Sequence, residues 1–310
     1  MKKCCLMIYL LAFTSLEFAQ SSTADYLTGS ANDICMNPVF SPDGIKIAYT
    51  KSGYKGLWIF DRVANSIHKI TDEDAAGFSF KWSSDSKSIL TRVAKYENLR
   101  RYNAVKIFEI ETGESKELTD FRTMMPYLPD WLADNSEIFL PTNNGVEVYS
   151  TGKQKETGVL TPEVSSYVKN DKIIVHNFAT GSELTMSPME NVSIINLIIS
   201  PDRNKVAFEV VGGNLYSMNI DGTNLIDLGK GNRPRWSFDS RKIIYMITED
   251  DGHNFTASDI YSINADGTQK KSLTNTNDLI ELNPCFAPDG KSFVFDVYND
   301  GSIYLMNIEQ

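Results

Sequence analysis

Apolar and polar residues alternate in short runs along most of the chain, and tight turns separate the runs. The pattern is clearest at residues 37–44, Asn-Pro-Val-Phe-Ser-Pro-Asp-Gly, which are followed by Ile-Lys-Ile-Ala-Tyr at 45–49. A second copy occupies 283–290 and continues to 295. Alternation with a period of two marks a half-buried strand, and Asp-Gly between two such runs marks a hairpin turn. Each phrase therefore predicts a β-hairpin.

Weaker copies of this hairpin fill the chain between the two phrases. An Asp or Asn at the turn is followed four positions later by an apolar residue, and the turns lie at Asp43, Asp85, Asp134, Asn170, Asp202, Asp239 and Asp289. Six of the seven units carry an aromatic residue three positions before the turn, namely Phe40, Trp82, Trp131, Tyr167, Trp236 and Phe286. The units recur every 32–50 residues, a period typical of propeller blades or solenoids.

The second half of each unit repeats as well. Residues 215–223 and 260–268 both read as a strand that runs into an Asp-Gly-Thr turn. A short strand that ends in Leu-Thr or Ile-Thr then follows at 70–71, 118–119, 160–161 and 273–274. Four antiparallel strands every forty residues or so make a propeller blade. We therefore predict an all-β, closed propeller of four-stranded blades with seven blades, and the degenerate third and fourth units leave six or eight open.

These motifs resemble the TolB-type subclass of WD-like propeller repeats. The resemblance rests on the Ser-Pro-Asp-Gly phrase, the Ile-Tyr-x-x-Asn-x-Asp-Gly-Thr strand and the Leu-Thr ending, and it covers roughly residues 25–310. The motifs imply the fold and little about function. TolB itself carries a further N-terminal α/β domain and a six-bladed propeller, so the resemblance does not imply membership of a Tol-Pal envelope system.

The two ends of the chain complement each other. The last unit stops at Gln310 without a Leu-Thr strand, whereas a Leu-Thr pair precedes the first unit at residues 27–28. Ten residues separate Leu27 from Asn37, as they separate Leu273 from Asn283. We therefore expect residues 25–28 to supply the outer strand of the last blade and to close the ring.

Residues 1–20 have the layout of a secretory signal peptide: Lys2 and Lys3, then an apolar run from Leu6 to Phe13. An N-terminal membrane anchor is the alternative, although the run is well short of the ~20 residues that span a bilayer. We expect a single domain over 21–310, with no transmembrane segment after cleavage, in the periplasm or secreted.

Removal of residues 1–20 leaves 28 basic and 39 acidic residues, a net charge of −11. This charge disfavours nucleic acid and anionic membranes as partners. Only Cys35 and Cys285 remain, on strands that should be neighbours at the seam. A disulfide between them and two buried thiols are both open.

Few residues point to catalysis. We interpret the recurrent aromatics as wedges between blades rather than a stacking site, and the turn Asp residues as turn formers rather than calcium ligands. The three histidines, His68, His176 and His253, fall at different repeat positions, which counts against a histidine-rich metal centre like that of oligogalacturonate lyases. No G-x-S-x-G, H-E-x-x-H or phosphate loop occurs. The sequence predicts no metal and no cofactor, and it favours a non-enzyme without settling the matter.

The longer excursions all fall on one face, the face of the turns between second and third strands: Val93–Ala104, Thr119–Leu128 and Thr248–Ser258. Aromatics, Met and Arg concentrate there, as they do in protein interfaces. We therefore predict a scaffold that binds a protein or peptide partner, and is monomeric alone, through Tyr96, Arg100, Arg101, Tyr102, Phe121, Arg122, Met125, Tyr127, His253 and Phe255. Tolerated surface insertions are one alternative. Another is a carbohydrate-active or hydrolytic enzyme at the mouth of the central channel, with Lys81, Asp130 and Arg235 as candidate residues.

Overall fold

The computed structural model describes residues 24–132, 134–154, 164–276 and 278–308. The predicted signal peptide and the Leu-Thr pair at 160–161 lie outside these residues. The described chain forms seven antiparallel sheets arranged as the blades of a β-propeller, with a single turn of 3₁₀ helix at Ser52–Tyr54. The all-β, seven-bladed fold predicted from the repeats is confirmed.

The strands follow the order of the repeats. The N-terminal strand is β1 (Asp25–Gly29). Blades one and two, from the inner strand outward, are β2 (Cys35–Phe40), β3 (Lys46–Lys51), β4 (Lys55–Asp61) and β5 (Ser66–Thr71), then β6 (Lys81–Trp82), β7 (Ser88–Glu97), β8 (Arg100–Glu109) and β9 (Ser115–Glu117). Blades three and four are β10 (Asp130–Trp131), β11 (Glu137–Thr142) and β12 (Gly145–Ser150), then β13 (Val164–Lys169), β14 (Lys172–Asn177) and β15 (Glu183–Met186).

The second half of the ring is the more regular half. Blade five is β16 (Ile194–Ile199), β17 (Lys205–Val210), β18 (Leu215–Asn219) and β19 (Ile226–Gly229). Blade six is β20 (Asn232–Trp236), β21 (Lys242–Asp250), β22 (Phe255–Asn264) and β23 (Lys271–Ser272), and blade seven is β24 (Glu281–Phe286), β25 (Ser292–Val297) and β26 (Ser302–Asn307) with β1 outermost.

Five blades have four strands, and blades three and four have three each within the described residues. In blade three, residues 155–163 follow β12 and lie outside the described part. In blade four, residues 187–193 follow β15 as bends and extended chain without pairing into the sheet. These are the two units whose sequence repeats are weakest.

The turn between the first and second strands is built the same way in most blades. In blade one, Ser41 Oγ donates to Asp43 Oδ1 (2.6 Å), and the same carboxylate accepts the N–H of Ile45 (2.9 Å). A residue with positive φ follows the Asp, as in Gly44 (73°), where a left-handed conformation favours glycine. The repeated Asp is therefore explained by turn geometry, as predicted.

The recurrent aromatics lie between blades. All six are buried, and each packs within a core cluster or against rings of a neighbouring blade. The three indole N–H groups each donate to a carbonyl of an earlier inner strand: Trp82 to Val39 (3.2 Å), Trp131 to Lys81 (3.1 Å) and Trp236 to Ile198 (3.3 Å). The wedge interpretation is confirmed, because these rings fill the gap between sheets and lock their spacing.

The N-terminal strand closes the ring as the sequence predicts. β1 pairs antiparallel with β26, so the two ends of the chain share blade seven. Leu27 packs on a cluster that joins blade one to blade seven. At the end of β1, Gly29 has a φ of +99°, and a Cβ there would lie 2.4 Å from Gly301 O and 2.8 Å from Ser302 Cα. Glycine is therefore required where the end of β1 meets the turn between β25 and β26.

Replacement of Gly29 by Ala should destabilise the ring at its seam. Gly113→Ala is the matched control, because Gly113 also has a positive φ (+70°) but has open space around its Cα. Both variants incur the ~1–2 kcal/mol cost of a left-handed Ala, whereas Gly29→Ala also forces backbone atoms apart. We expect it to lower the free energy of unfolding in urea by about 2 kcal/mol more than the control. Equal losses would show that the seam does not limit stability.

Candidate functional site

The longest excursion of the predicted face is a β-hairpin rather than a loop. The sequence assigned 93–104 to an irregular insertion, but β7 and β8 pair without interruption from Ser88↔Glu109 to Glu97↔Arg100. Only Asn98 and Leu99 form the turn, and both have positive φ (50° and 63°), the signature of a two-residue type I′ turn. The loop prediction was wrong here because the second and third strands of blade two are longer than those of other blades. They continue through residues 93–97 and 100–104, and two residues suffice for the turn between them.

The hairpin is anchored at its base on both edges. Asp74, in the connection from blade one, forms an isolated bridge with Ala94, whose N–H donates to the Asp74 carbonyl (2.8 Å). Arg122, in the connection to blade three, exchanges two backbone hydrogen bonds with Asn103 (2.8 and 2.9 Å). The base is therefore rigid, and the part beyond these bridges projects from the face.

Alternation places the tip residues on two sides of the hairpin. Tyr96 lies opposite Arg101, and both point to the side of blade three, where Arg101 Nε donates to Asn103 Oδ1 (2.9 Å). Arg100 and Tyr102 share the other side with Lys95 and Glu97, which pair with each other (3.0 Å). Tyr96 is 60% exposed and Leu99 at the tip is fully exposed.

The four predicted residues of the connection to blade three have different roles. Phe121 packs against the cluster of blades one and two, and its ring lies 4.4 Å from the Lys95 ammonium. Arg122 forms a two-pronged pair with Glu147 (3.0 and 2.7 Å) and donates to the Tyr149 hydroxyl. This pairing lowers the pKa of Glu147. Arg122 therefore fixes the connection to blade three.

Met125 is a core residue, which corrects its assignment to the contact face. It is 6% exposed and packs with Trp131 in the cluster of blades two and three. The neighbouring Met124 is 68% exposed instead. Tyr127 makes an edge-to-face contact with Tyr167 of blade four (5.8 Å between ring centres).

His253 and Phe255 belong to a second hairpin. β21 and β22 extend beyond the sheet, and residues 251–254 form its tip, so most of the predicted loop 248–258 is again strand. Phe255 packs edge-to-face on Tyr298 of blade seven (5.6 Å), and His253 is exposed. Blades seven and one separate this tip from blade two, so the ten predicted residues fall into two groups. We call the first group the blade-two face. It contains Tyr96, Arg100, Arg101, Tyr102, Phe121, Arg122 and Tyr127, and the buried Met125 is left out of it.

The candidate residues of the channel are held in structural contacts. Lys81, Asp130 and Arg235 occupy the same position of the inner strand in blades two, three and six. Lys81 and Asp130 form an ion pair between neighbouring blades. Arg235 reaches past blade seven and donates to Asn37 Oδ1 (2.5 Å) and to the Pro38 carbonyl (2.9 Å).

A buried polar network near the channel was not predicted from the sequence. In blades one, five, six and seven the inner strand has a bulge at a residue with positive φ: Asn37, Asn196, Arg233 and Asn283. A carboxylate lies thirteen residues after the bulge Asn in blades five and seven, Glu209 and Asp296. The repeated Asn, with an acidic residue at that spacing, was the signal available.

Both carboxylates are bound alike. Asp296 accepts from Asn283 Nδ2 of its own blade (2.9 Å) and from the Asn37 N–H of the next blade (2.8 Å). Glu209 accepts from Asn196 Nδ2 (2.8 Å) and from the Arg233 N–H of the next blade. Burial raises the pKa of Asp296 to about 6, against these hydrogen bonds and the charges of Arg233 and Arg235.

Glu281 is a third buried carboxyl, at the start of β24. It is fully buried, Oε1 accepts from Thr276 Oγ1 (2.8 Å), and Oε2 has no hydrogen-bond partner. Burial is the main cause that raises its pKa to about 7, and the charge of Asp259 adds to it. Its protonation state therefore changes near neutral pH.

Other candidate chemistry is sparse in the described residues. Cys35 and Cys285 are both free thiols, so the disulfide between them is not formed. Both are buried in the cluster that joins blades one and seven, and burial raises the pKa of Cys35 to about 11. The histidines lie in blades one, four and six, and the His176 ring makes a tilted contact with the Phe178 ring (4.6 Å between ring centres). No group of three His, Cys, Asp or Glu side chains in the described chain is placed to hold a metal ion.

An open cleft lies beside the seam on the same face. It has a volume of about 390 Å³ and is lined by the connection between β1 and β2 and by residues of blade one. Lys51 bridges to Asp33 and lies 4.9 Å from the Trp58 ring, and Lys69 pairs with Asp72. Lys55 pairs with Asp74, which lies outside the lining (3.9 Å). No helix in the described ranges is long and apolar enough to cross a membrane.

Comparison with known proteins gives likeness of structure only. No family model matches the sequence, and no curated protein matches it. An oligogalacturonate lyase from Vibrio parahaemolyticus has 13% identity and a TM-score of 0.45, and covers 88% of this chain and 77% of its own. An oligogalacturonate lyase in complex with manganese has 12% identity, a TM-score of 0.48 and coverages of 93% and 97%. TolB from Acinetobacter baumannii has 15% identity, a TM-score of 0.49 and coverages of 92% and 66%.

We expect the stability of the protein to fall between pH 5 and pH 8. Glu281 and Asp296 have folded pKa values of about 7 and about 6, above their ordinary values of 4.5 and 3.8. The folded state therefore holds their protons more tightly, and this stabilisation is complete at low pH and lost as the pH rises through the folded values. Carboxylates with lowered pKa values, such as Asp202, act at lower pH.

Glu281→Gln isolates the contribution of one group. The variant should flatten the pH dependence and be more stable than the wild type at pH 8 by about 2–3 kcal/mol at most, since it removes a buried charge. Urea unfolding at several pH values measures this, with exposed Glu114→Gln as the control. An unchanged slope between pH 5 and pH 8 would contradict the assignment.

Proposed function

We propose that this protein is a secreted or periplasmic propeller that binds a protein or peptide through the blade-two face. The observation that carries the proposal is the projecting hairpin of β7 and β8, whose tip exposes Tyr96 and Leu99 beyond two anchored edges. Exposed apolar side chains on a rigid projection are typical of interaction sites. Secretion rests on the signal peptide predicted at residues 1–20.

The charge of the hairpin favours an acidic partner surface. Residues 92–104 carry four basic side chains and one acidic side chain, whereas the whole chain has a net charge of −10. Arg100 and Arg101 are exposed and have no carboxylate partner among the described residues. A basic projection attracts an acidic partner to this point, whereas the acidic remainder of the protein repels that partner.

The enzyme alternative has less support. Lys81 and Asp130 neutralise each other across two blades, and Arg235 is bound to the backbone of blade one. A nucleophile or general base is activated by a neighbouring group that is free to exchange a proton. These three side chains serve instead to fix the spacing of the inner strands.

Replacement of the tip should abolish partner binding without loss of folding. Leu99→Ser with Arg100→Glu removes the exposed apolar side chain of the turn and reverses a charge at the first residue of β8. We expect partner recovery from crosslinked envelope and culture fractions to fall about tenfold or more, because tip residues of interfaces include the few that carry most of the affinity.

Val63→Ser is the control for this experiment. Val63 is 81% exposed in the turn between β4 and β5, on the opposite face of the ring. The control should recover the same partners as the wild type. Equal recovery by both variants would place the interaction elsewhere, and recovery of no reproducible partner by the wild type would refute the proposal.

A further inference from the structure

One guanidinium at the base of the hairpin has no counter-charge. Arg92 lies in β7 on the side of Tyr96 and Arg101. Its Nη1 donates to the Met125 carbonyl (2.8 Å), and its Cζ lies 5.7 Å from the centre of the Phe78 ring. Its Nε is buried and has no hydrogen-bond partner.

The neighbouring cations differ from Arg92 in this respect. Lys95 pairs with Glu97, Lys106 with Glu73, and Arg122 with Glu147. Arg92 has no carboxylate partner within the described residues, and the charge that acts on it is that of Arg101, which together with burial lowers its pKa. The hairpin therefore holds two positive charges without a carboxylate partner among the described residues, Arg92 at its base and Arg101 beyond the bridges.

A buried charge without a partner is destabilising, and a buried donor without an acceptor costs about 1–3 kcal/mol. A residue of this kind is explained when a ligand supplies the missing charge, since the cost in the free protein becomes affinity in the complex. Pre-placed donors that wait for an acceptor also give specificity against ligands that lack it.

The free atoms of Arg92 narrow the class of anion. With Nη1 bound to Met125, Nε and Nη2 remain. They lie along the edge of the guanidinium that donates two parallel hydrogen bonds to a carboxylate. A phosphate can bind the same edge in the same two-pronged way, and the comparison of succinate with phosphate described below separates the two classes of anion. Because Nε is buried in the free protein, binding requires a side-chain rotation of the kind common at interfaces. Phe78 beside it is 44% exposed.

We propose that Arg92, supported by Arg101, binds a carboxylate of the partner, an Asp or Glu side chain of a peptide segment that lies along the blade-two face. This inference rests on the proposed function and specifies it. The exposed Phe78, Tyr96 and Met124 around the two arginines offer apolar contacts to the residues that flank the acidic one.

Random dodecapeptides displayed on phage and selected on the immobilised protein test the proposal. The wild type should select peptides with a shared acidic position. Replacement of that acidic residue by its amide, in the strongest peptide, should weaken binding to the wild type roughly tenfold or more and should have little effect on binding to Arg92→Gln. Gln is chosen because it removes the charge and keeps a polar side chain that can donate a hydrogen bond.

Arg62→Gln is the matched control. Arg62 also donates to a backbone carbonyl, Gly44 O (2.6 Å), and lies over a phenyl ring, Phe40 (5.3 Å), but in the turn on the opposite face. This variant should behave as the wild type towards both forms of the peptide. Thermal unfolding of the same three proteins is also measured in succinate and in phosphate, each against chloride at equal ionic strength. Succinate should raise the unfolding midpoint of the wild type more than that of Arg92→Gln, and phosphate should shift both midpoints equally.

Each alternative result decides a different point. If peptides bind but the amide weakens binding to wild type and Arg92→Gln equally, the carboxylate assignment fails and the proposed function stands. If phosphate stabilises in place of succinate, the class of anion is wrong. If no peptide is selected and succinate still acts through Arg92, the ligand is a small dicarboxylate and the peptide source is refuted. If neither occurs, both the inference and the proposed function fail.

Discussion

The contact between neighbouring inner strands is the constraint on which the rest of this structure depends. A four-stranded blade cannot bury both of its faces alone, so each blade must be held against the next at a fixed distance. Here a large ring from six of the seven blades fills the gap, and an indole such as that of Trp131 adds a hydrogen bond to the inner strand before it. The six core clusters each join two neighbouring blades and cover six of the seven junctions in the ring. At the seventh junction, between blades three and four, the described residues make ring contacts, Tyr127 with Tyr167 and Phe139 with Phe178.

A ring built from pairwise contacts has to close, and closure falls on the two ends of the chain. β1 gives the last blade its outer strand and at the same time leads into β2 of the first blade. The seam would otherwise leave an unpaired strand edge, which proteins protect against aggregation. The polar network strengthens the same region, since Asp296 of blade seven binds Asn37 of blade one. Closure is thus made by strand pairing, apolar packing and buried hydrogen bonds together.

The repeats allowed the fold to be predicted because their physical causes are local. A turn that needs a left-handed residue after Asp, as at Gly44, and an aromatic at a fixed distance, as at Phe40, leave marks in any sequence that forms the blade. The extended hairpin was mistaken for a loop for the opposite reason. Nothing repeats in residues 93–104, and the exposed alternation of its tip carries no apolar face to reveal the strands. The burial of Met125 could not be foreseen either, because its position depends on how one connection folds back onto Asn103.

The residues that repeat and the residues that vary therefore have different tasks. Every side chain that recurs among the blades has a structural partner: Asp43 its turn, Trp82 a carbonyl, Asp296 a bulge. Arg92 lies at the strand position where blade one has Thr50 and blade seven has Asp296. Asp296 and Arg92 both bond to the chain that leads into or begins the next blade, Asp296 at Asn37 and Arg92 at Met125, but the positive charge of Arg92 has no carboxylate partner among the described residues. A charge that the fold neither repeats nor neutralises is not explained by the stability of the ring. As proposed above, its explanation is a ligand from outside the chain, bound at the hairpin of β7 and β8 that continues past the edge of the propeller.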